Sequence, residues 1–244
     1  FQRQMREQLQ VERSRGRNHS LVVAATGTGK TILAGLDYRS LRETMPRARL
    51  LFVAHRREIL EQSRATFRHI LREGAFGELW LSGQRPKQWD HVFASIQTLH
   101  RSELTSVEAD HFDVVIVDEF HHAAAKTYES VLEHLQPNYL LGLTATPERA
   151  DTKDILKWFG GRTAVELRLW DALEQELLSP FHYFGIHDGM DLRNVTWRRG
   201  RGYDTDELTR IYTAHDMWAA MVLQSVHEKM GDAKRMRALG FCVS

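Results

Sequence analysis

Cysteine is almost missing from this 244-residue chain, with Cys242 its single example. That excludes an internal disulfide framework and fits a reducing compartment. No apolar run approaches the length of a membrane span, and no stretch reads as a secretory signal, so a cytoplasmic protein is expected. A large excess of either charge is lacking too: Lys+Arg 33 against Asp+Glu 32 leaves a net charge of +1. Near-neutrality neither demands nor excludes a nucleic-acid partner, because a local basic groove can coexist with a neutral total. Internal repeats and low-complexity segments are absent. What remains is ordinary for a globular chain, 42% hydrophobic and 27% charged, and long enough for one large domain or a domain and a half.

Short apolar runs alternate with longer amphipathic stretches, the pattern of βα units around a parallel sheet. Strands are expected over 21–25, 50–54, 77–81, 91–95, 113–117 and 139–144, and helices over 1–13, 30–41, 57–71 and 128–135. Beyond Pro147 the character changes. A short helix is expected over 154–159, closed by Gly160-Gly161, and another over 170–178, stopped by Ser179-Pro180. Residues 181–186 read as a strand, 187–207 as a polar loop or small insertion, 214–230 as an amphipathic helix and 239–243 as the start of a strand.

Three short stretches carry chemistry. Ala-Ala-Thr-Gly-Thr-Gly-Lys-Thr, residues 24–31, follows the first apolar run. Its glycines stand where backbone amides wrap a polyphosphate, Lys30 supplies positive charge and the Thr31 hydroxyl is a ligand for Mg²⁺. The strict consensus begins with glycine, and Ala24 stands there instead. Asp118 and Glu119 end the apolar run 113–117, where an α/β sheet places ligand chemistry. In a phosphate-loop ATPase such an Asp holds Mg²⁺ and the following Glu polarises the attacking water. Alone, an acidic pair reads as a solvated strand end; downstream of the glycine-rich loop it reads as its partner. The third stretch, Leu143-Thr144-Ala145-Thr146-Pro147-Glu148-Arg149, puts small hydroxyl residues at another strand end. Read alone it is a turn closed by Pro147.

In this order the three stretches resemble motifs I, II and III of the superfamily-two helicases and translocases. Asp-Glu-Phe-His narrows the resemblance to the DExH branch that includes restriction-enzyme translocating subunits and XPB-like DNA motors. Phe1-Gln2 is similar to the adenine-reading glutamine motif, 53–60 to motif Ia, 93–99 to the next strand-end motif and 173–181 to the segment that crosses into a second RecA-like lobe. The resemblance implies a P-loop RecA-like α/β domain over 1–165 with a mostly parallel sheet flanked by helices. An interlobe linker over 166–186 follows, then a small insertion and the start of an incomplete second lobe over 187–244.

It also implies roles. Gln2 hydrogen-bonds adenine; Thr26, Gly27, Thr28, Gly29 and Lys30 hold the phosphates of ATP; Thr31 and Asp118 hold Mg²⁺; Glu119 orients water. Thr144 and Thr146 couple nucleotide state to the nucleic-acid groove, and His121 bridges the acidic motif to motif III or the other lobe, whereas His122 is as well read as a packed histidine. His55, Arg56, Ser95, Gln97 and Thr98 face the nucleic acid, with DNA favoured over RNA, and Arg57 reads as a solvated helix residue. These contacts are of the phosphate and sugar kind and read no sequence.

The second-lobe arginine motif of such motors, Q-x-x-G-R-x-x-R, has no counterpart. Residues 198–202, Arg-Arg-Gly-Arg-Gly, lack the glutamine and read as a basic loop. No nuclease signature is present. The expected function is an ATP-dependent DNA helicase or translocase, with this stretch by itself weakly active or inactive and the remaining second lobe and accessory domains as partners. The alternatives are an ATP-gated nucleic-acid-binding switch within a restriction or defence complex, and a small-molecule kinase. The motif Ia and motif III likenesses argue against the kinase.

Overall fold

In the computed structural model the described residues are 1–99, 104, 107–121, 126–146, 155–186, 192–198, 202–213, 217–230 and 236–241. His122, the stretch 147–154, most of the basic loop and Cys242 lie outside them. Contacts between Cα atoms divide the chain into Phe1–Pro180 and Phe181–Ser244.

The first unit is built on seven parallel strands: β1 (His19–Ala24), β2 (Leu50–Ala54), β3 (Glu78–Trp80), β4 (His91–Ser95), β5 (Val114–Val117), β6 (Tyr139–Thr144) and β7 (Val165–Leu167). Their order across the sheet is β3-β4-β2-β5-β6-β1-β7. The strands are continuous apolar runs because both faces are covered. Along β1 and β2, Val22, Ala24, Leu50, Phe52 and Ala54 enter one core, while Leu21, Val23, Leu51 and Val53 enter the other. The first core is closed by α1 (Gln2–Ser14), α2 (Lys30–Thr44) and α3 (Arg57–Leu71) through Met5, Leu9, Leu33, Tyr38, Leu60 and Phe67. The second takes Val131 and Leu132 of α5 (Lys126–His134), beyond the single turn α4 (Ile96–Thr98).

α1 is tied to α2 by Arg13, whose guanidinium forks onto the buried Asp37 carboxylate, one bond measuring 2.8 Å. Such a two-pronged pair fixes orientation as well as contributing energy. Phe159 closes a short 3-10 turn, Lys157–Phe159, and Gly160 follows in the left-handed region at φ 63°, as a helix C-terminus favours. β7 pairs in parallel with β1. It was not anticipated from sequence, because three residues, Val-Glu-Leu, carry too little alternation. α6 (Leu169–Glu174) then overlaps the expected helix 170–178 but ends four residues earlier.

Gly142 in the middle of β6 is required by packing. A Cβ there would lie 2.6 Å from the Phe159 ring, 2.9 Å from Phe120 and 3.0 Å from Leu21. Gly142→Ala is therefore expected to lower stability by about 1–3 kcal/mol through overpacking, measured as a fall in the urea midpoint at unchanged m-value.

The second unit departs from the sequence reading in four places. Phe181–Ile186 forms no strand, and no partner ladder reaches it among the described residues. Within 187–207, expected as loop, a two-stranded antiparallel ribbon pairs β8 (Trp197–Arg198) with β9 (Gly202–Tyr203), and the Trp197 and Tyr203 rings meet edge-on at 4.8 Å. The helix α7 (Thr205–Thr213) follows, its first turn held by Asp204 Oδ1, which accepts from the backbone amides of Asp206 and Glu207 at 3.1 and 3.3 Å. α8 (Met217–Met230) lies within the helix expected over 214–230. Of the expected strand 239–243, residues 239–241 take no regular structure and the rest lies outside the described residues.

Candidate functional site

Because all seven strands run the same way, their carboxyl ends share one edge of the sheet. Along it stand, in spatial order, the ends of β4 (Ser95), β2 (His55, Arg56), β5 (Asp118, Glu119), β6 (Thr144, Thr146) and β1 (24–31). In an open α/β sheet this edge is where ligands bind.

The loop after β1 turns tightly into α2. Gly27 and Gly29 sit at φ 87° and 83°, in the left-handed region that side chains with a Cβ rarely adopt. Gly29 is the N-cap of α2, so the free amides of its first turn open onto the loop. Lys30 Nζ donates to the Ala24 carbonyl at 3.0 Å and lies 3.5 Å from that of Ala25. Burial lowers its pKa from the usual lysine value, opposed by the nearby charges of Asp118 and Glu119. Thr28 is buried and donates its hydroxyl to the Ala25 carbonyl at 2.7 Å. Thr26 and Gly27 are exposed and Thr31 is half-buried in the first turn. Gln2 reaches the same loop: its Nε2 lies 2.4 Å from where a Cβ on Gly29 would stand.

At the end of β5, Asp118 is buried and its amide donates to the Val53 carbonyl at 2.9 Å. Burial, and then repulsion from Glu119, raise its pKa above the ordinary aspartate value, offset by a backbone bond from Glu119 and by Lys30. Glu119 takes a left-handed φ of 54°, uncommon outside glycine, and its amide donates back to Asp118 Oδ1 at 3.0 Å. Strain of this kind persists where the surroundings over-determine it, often at functional sites.

His121 joins two strand ends. Its Nδ1 lies 3.1 Å from Glu119 Oε2 and 3.2 Å from Thr144 Oγ1. Thr144 is fully buried, and its hydroxyl also accepts from the Thr146 amide at 3.3 Å. Glu119, His121, Thr144 and Thr146 thus form one continuous run of polar contacts from β5 to β6.

The other candidates stand one and two strands away. His55 is half-buried; Arg56 is exposed, as is Arg57, which pairs with Glu61 along α3 at 2.8 Å. Gln97 is exposed, whereas Ser95 and Thr98 are buried and turned onto each other at 2.8 Å, with Ser95 Oγ also accepting from the Thr98 amide at 3.2 Å. Their hydroxyls shape the α4 turn, and its exposed side is offered by Gln97. Sequence reasoning missed Arg6. It lies one turn along α1 from Gln2, on the same face, half-buried, with its Nε lacking a hydrogen-bond partner among the described residues. An arginine in a polar helix gives no signal of that placement.

A parallel sheet with the glycine-rich loop on β1, the acidic pair on β5 and the threonines on β6 defines the first RecA-like lobe of a superfamily-two helicase. Within that class, the chain belongs to the family described as "Type III restriction enzyme, res subunit", which matches residues 1–149. It is 28% identical over 225 residues to the type I restriction enzyme EcoAI endonuclease subunit of Escherichia coli, covering 86% of this chain and 27% of that one. It is 32% identical over 149 residues to a Saccharomyces cerevisiae protein named as the ATP-dependent helicase IRC3, covering 54% of this chain and 21% of that one. The fold is similar to that of the Hef helicase domain of Pyrococcus furiosus, with a TM-score of 0.55 at 21% identity over 66% of this chain and 38% of that one. The chain therefore spans about a quarter of the length of these two curated relatives. Among the described residues no helix is long and apolar enough to cross a membrane.

Proposed function

We propose that this chain is the nucleotide-binding lobe of an ATP-driven motor acting on nucleic acid, DNA in preference to RNA. The observation that carries the reading is the run of polar contacts from Glu119 through His121 to Thr144 and Thr146. It links the acidic pair to the strand end next to the glycine-rich loop, so a change at one is felt at the other. Restriction relatives and the DExH sequence favour DNA.

The residues fit ATP with Mg²⁺. The loop offers backbone amides, two glycines at positive φ and a lysine amino group that rests on loop carbonyls. Two carboxylates stand beside it, within electrostatic reach of Lys30. Mg²⁺ is ordinarily held by one or two carboxylates and the phosphates of its nucleotide, not by a full protein cage. Thr31 and Asp118 would hold the ion; Lys30 and the 26–29 backbone would hold the phosphates, and Gln2 the adenine. Bound ATP supplies the phosphoanhydride whose cleavage drives the cycle. Glu119 orients a water and accepts its proton, and His121 holds that carboxylate in place.

His55, Arg56 and Gln97, with the turn that Ser95 and Thr98 shape, would track a phosphate backbone on the adjoining strand ends. Binding of single-stranded DNA is therefore expected to be indifferent to sequence and to weaken with salt, at a slope of about −0.7 in log K per log salt for each phosphate neutralised. Fluorescence anisotropy with two unrelated oligonucleotides at several salt concentrations measures this. A strong preference for one sequence, or no salt dependence, overturns the motor reading.

A further inference from the structure

Tyr128 carries a hydroxyl that the described residues leave unpaired. The residue is 4% exposed, in the first turns of α5, and its Oη has no hydrogen-bond partner among the described residues. A buried donor left unpaired forfeits the hydrogen bonds it made to water, so each such group calls for an explanation. Packing alone does not supply one: Phe would fill the same space in this core without the cost.

Three placements say what the hydroxyl is near. Tyr128 belongs to the core that also contains Phe120 and Leu140. Side chains four apart on a strand share a face, so Thr144 lies on the face of Leu140, which is the Tyr128 side of the sheet. The charges that act on the phenol are those of Asp118 and then Glu119, which add to burial in raising its pKa. α5 also packs against α4, the turn shaped by Ser95 and Thr98. The phenol thus stands on the side of the sheet where the Glu119–His121–Thr144 chain runs, in the helix that leans on the candidate nucleic-acid turn.

We propose that Tyr128 is a positioning residue whose hydroxyl is kept in reserve for the nucleotide-loaded arrangement of this chain of bonds. When phosphate and Mg²⁺ draw Asp118 and Glu119 into new contacts, the hydrogen bonds around His121 and Thr144 redistribute. The Tyr128 hydroxyl then donates to an acceptor released in that exchange. A bond made only in the loaded state contributes to ligand affinity and nothing to the stability of the empty lobe. Because α5 rests on α4, the same bond ties the loaded state to the nucleic-acid turn. The inference rests on the nucleotide-binding reading above.

Tyr128→Phe, which removes the oxygen alone, tests it in the full 244-residue chain. Two quantities are measured: the thermal midpoint without ligand, and the dissociation constant for a non-hydrolysable ATP analogue with Mg²⁺. The midpoint of the Phe variant is expected to equal or exceed that of the wild type, while affinity falls about two- to tenfold, the range for one neutral hydrogen bond. Tyr128→Leu, which also removes the ring, is expected to lower the midpoint. A Phe variant that is destabilised without ligand shows that the hydroxyl is already paired there and overturns the proposal. So does a Phe variant that binds the analogue as tightly as the wild type. If the wild type itself fails to bind, the nucleotide reading has failed and the proposal falls with it, a result distinguishable from the other two.

Discussion

Glu119→Gln is expected to abolish most turnover and leave nucleotide binding close to normal. The carboxylate stands at the strand end with its side chain 30% exposed, so water reaches it, and Oε2 lies 3.1 Å from His121 Nδ1. Glutamine keeps the size and an oxygen acceptor for that histidine, but it cannot take a proton from water. A general base of this kind contributes about 10²–10⁴ in rate. A group that acts only in the transition state lowers kcat when lost and spares ground-state affinity. Steady-state hydrolysis with DNA present, beside nucleotide titration of the same variant, gives both numbers. A variant that keeps wild-type kcat moves the base to another residue.

Lys30→Ala is expected to weaken ATP binding by roughly tenfold to a hundredfold, from the loss of a charge-assisted contact of about 1.5–3 kcal/mol. Burial works against the charge of Lys30, while Asp118 and Glu119 sustain it. Its donors rest on the Ala24 and Ala25 carbonyls, weak partners that a phosphate oxygen outcompetes. Titration of a fluorescent ATP analogue against both proteins measures the ratio, with unfolding midpoints to show that the variant folds. Equal dissociation constants remove the phosphate-binding assignment from residues 24–31.

Much of the first unit was legible in the sequence. β2, β4 and β6 occupy the ranges their apolar runs mark, because a strand buried on both faces must be apolar at every position. Asp118 and Glu119 announced themselves as charges ending such a run. The second unit was harder. The ribbon of β8 and β9 offers two residues on each side, and its glycines read as loop. α7 did carry a start signal, Asp204 ahead of Asp206 and Glu207, in a stretch otherwise too polar to stand out. Phe181–Ile186 has the composition of a strand, but composition does not supply the neighbouring ladder that a strand needs.

The sequence by itself determined the parts: which runs are buried, where the glycine-rich turn falls, and which charged and hydroxyl residues end each strand. These are local properties, set by hydropathy, backbone freedom and side-chain chemistry within a few residues. Which ends become neighbours is not local. In the chain the stretches run in the order 24–31, His55-Arg56, Ser95–Thr98, Asp118-Glu119, Thr144–Thr146, while across the sheet they run β4, β2, β5, β6, β1. Only the packing of crossover helices on both faces inserts β5 and β6 between β1 and β2. That order puts His121 within reach of Thr144 and leaves the Tyr128 hydroxyl buried without a partner among the described residues, since both depend on distances between residues far apart along the chain.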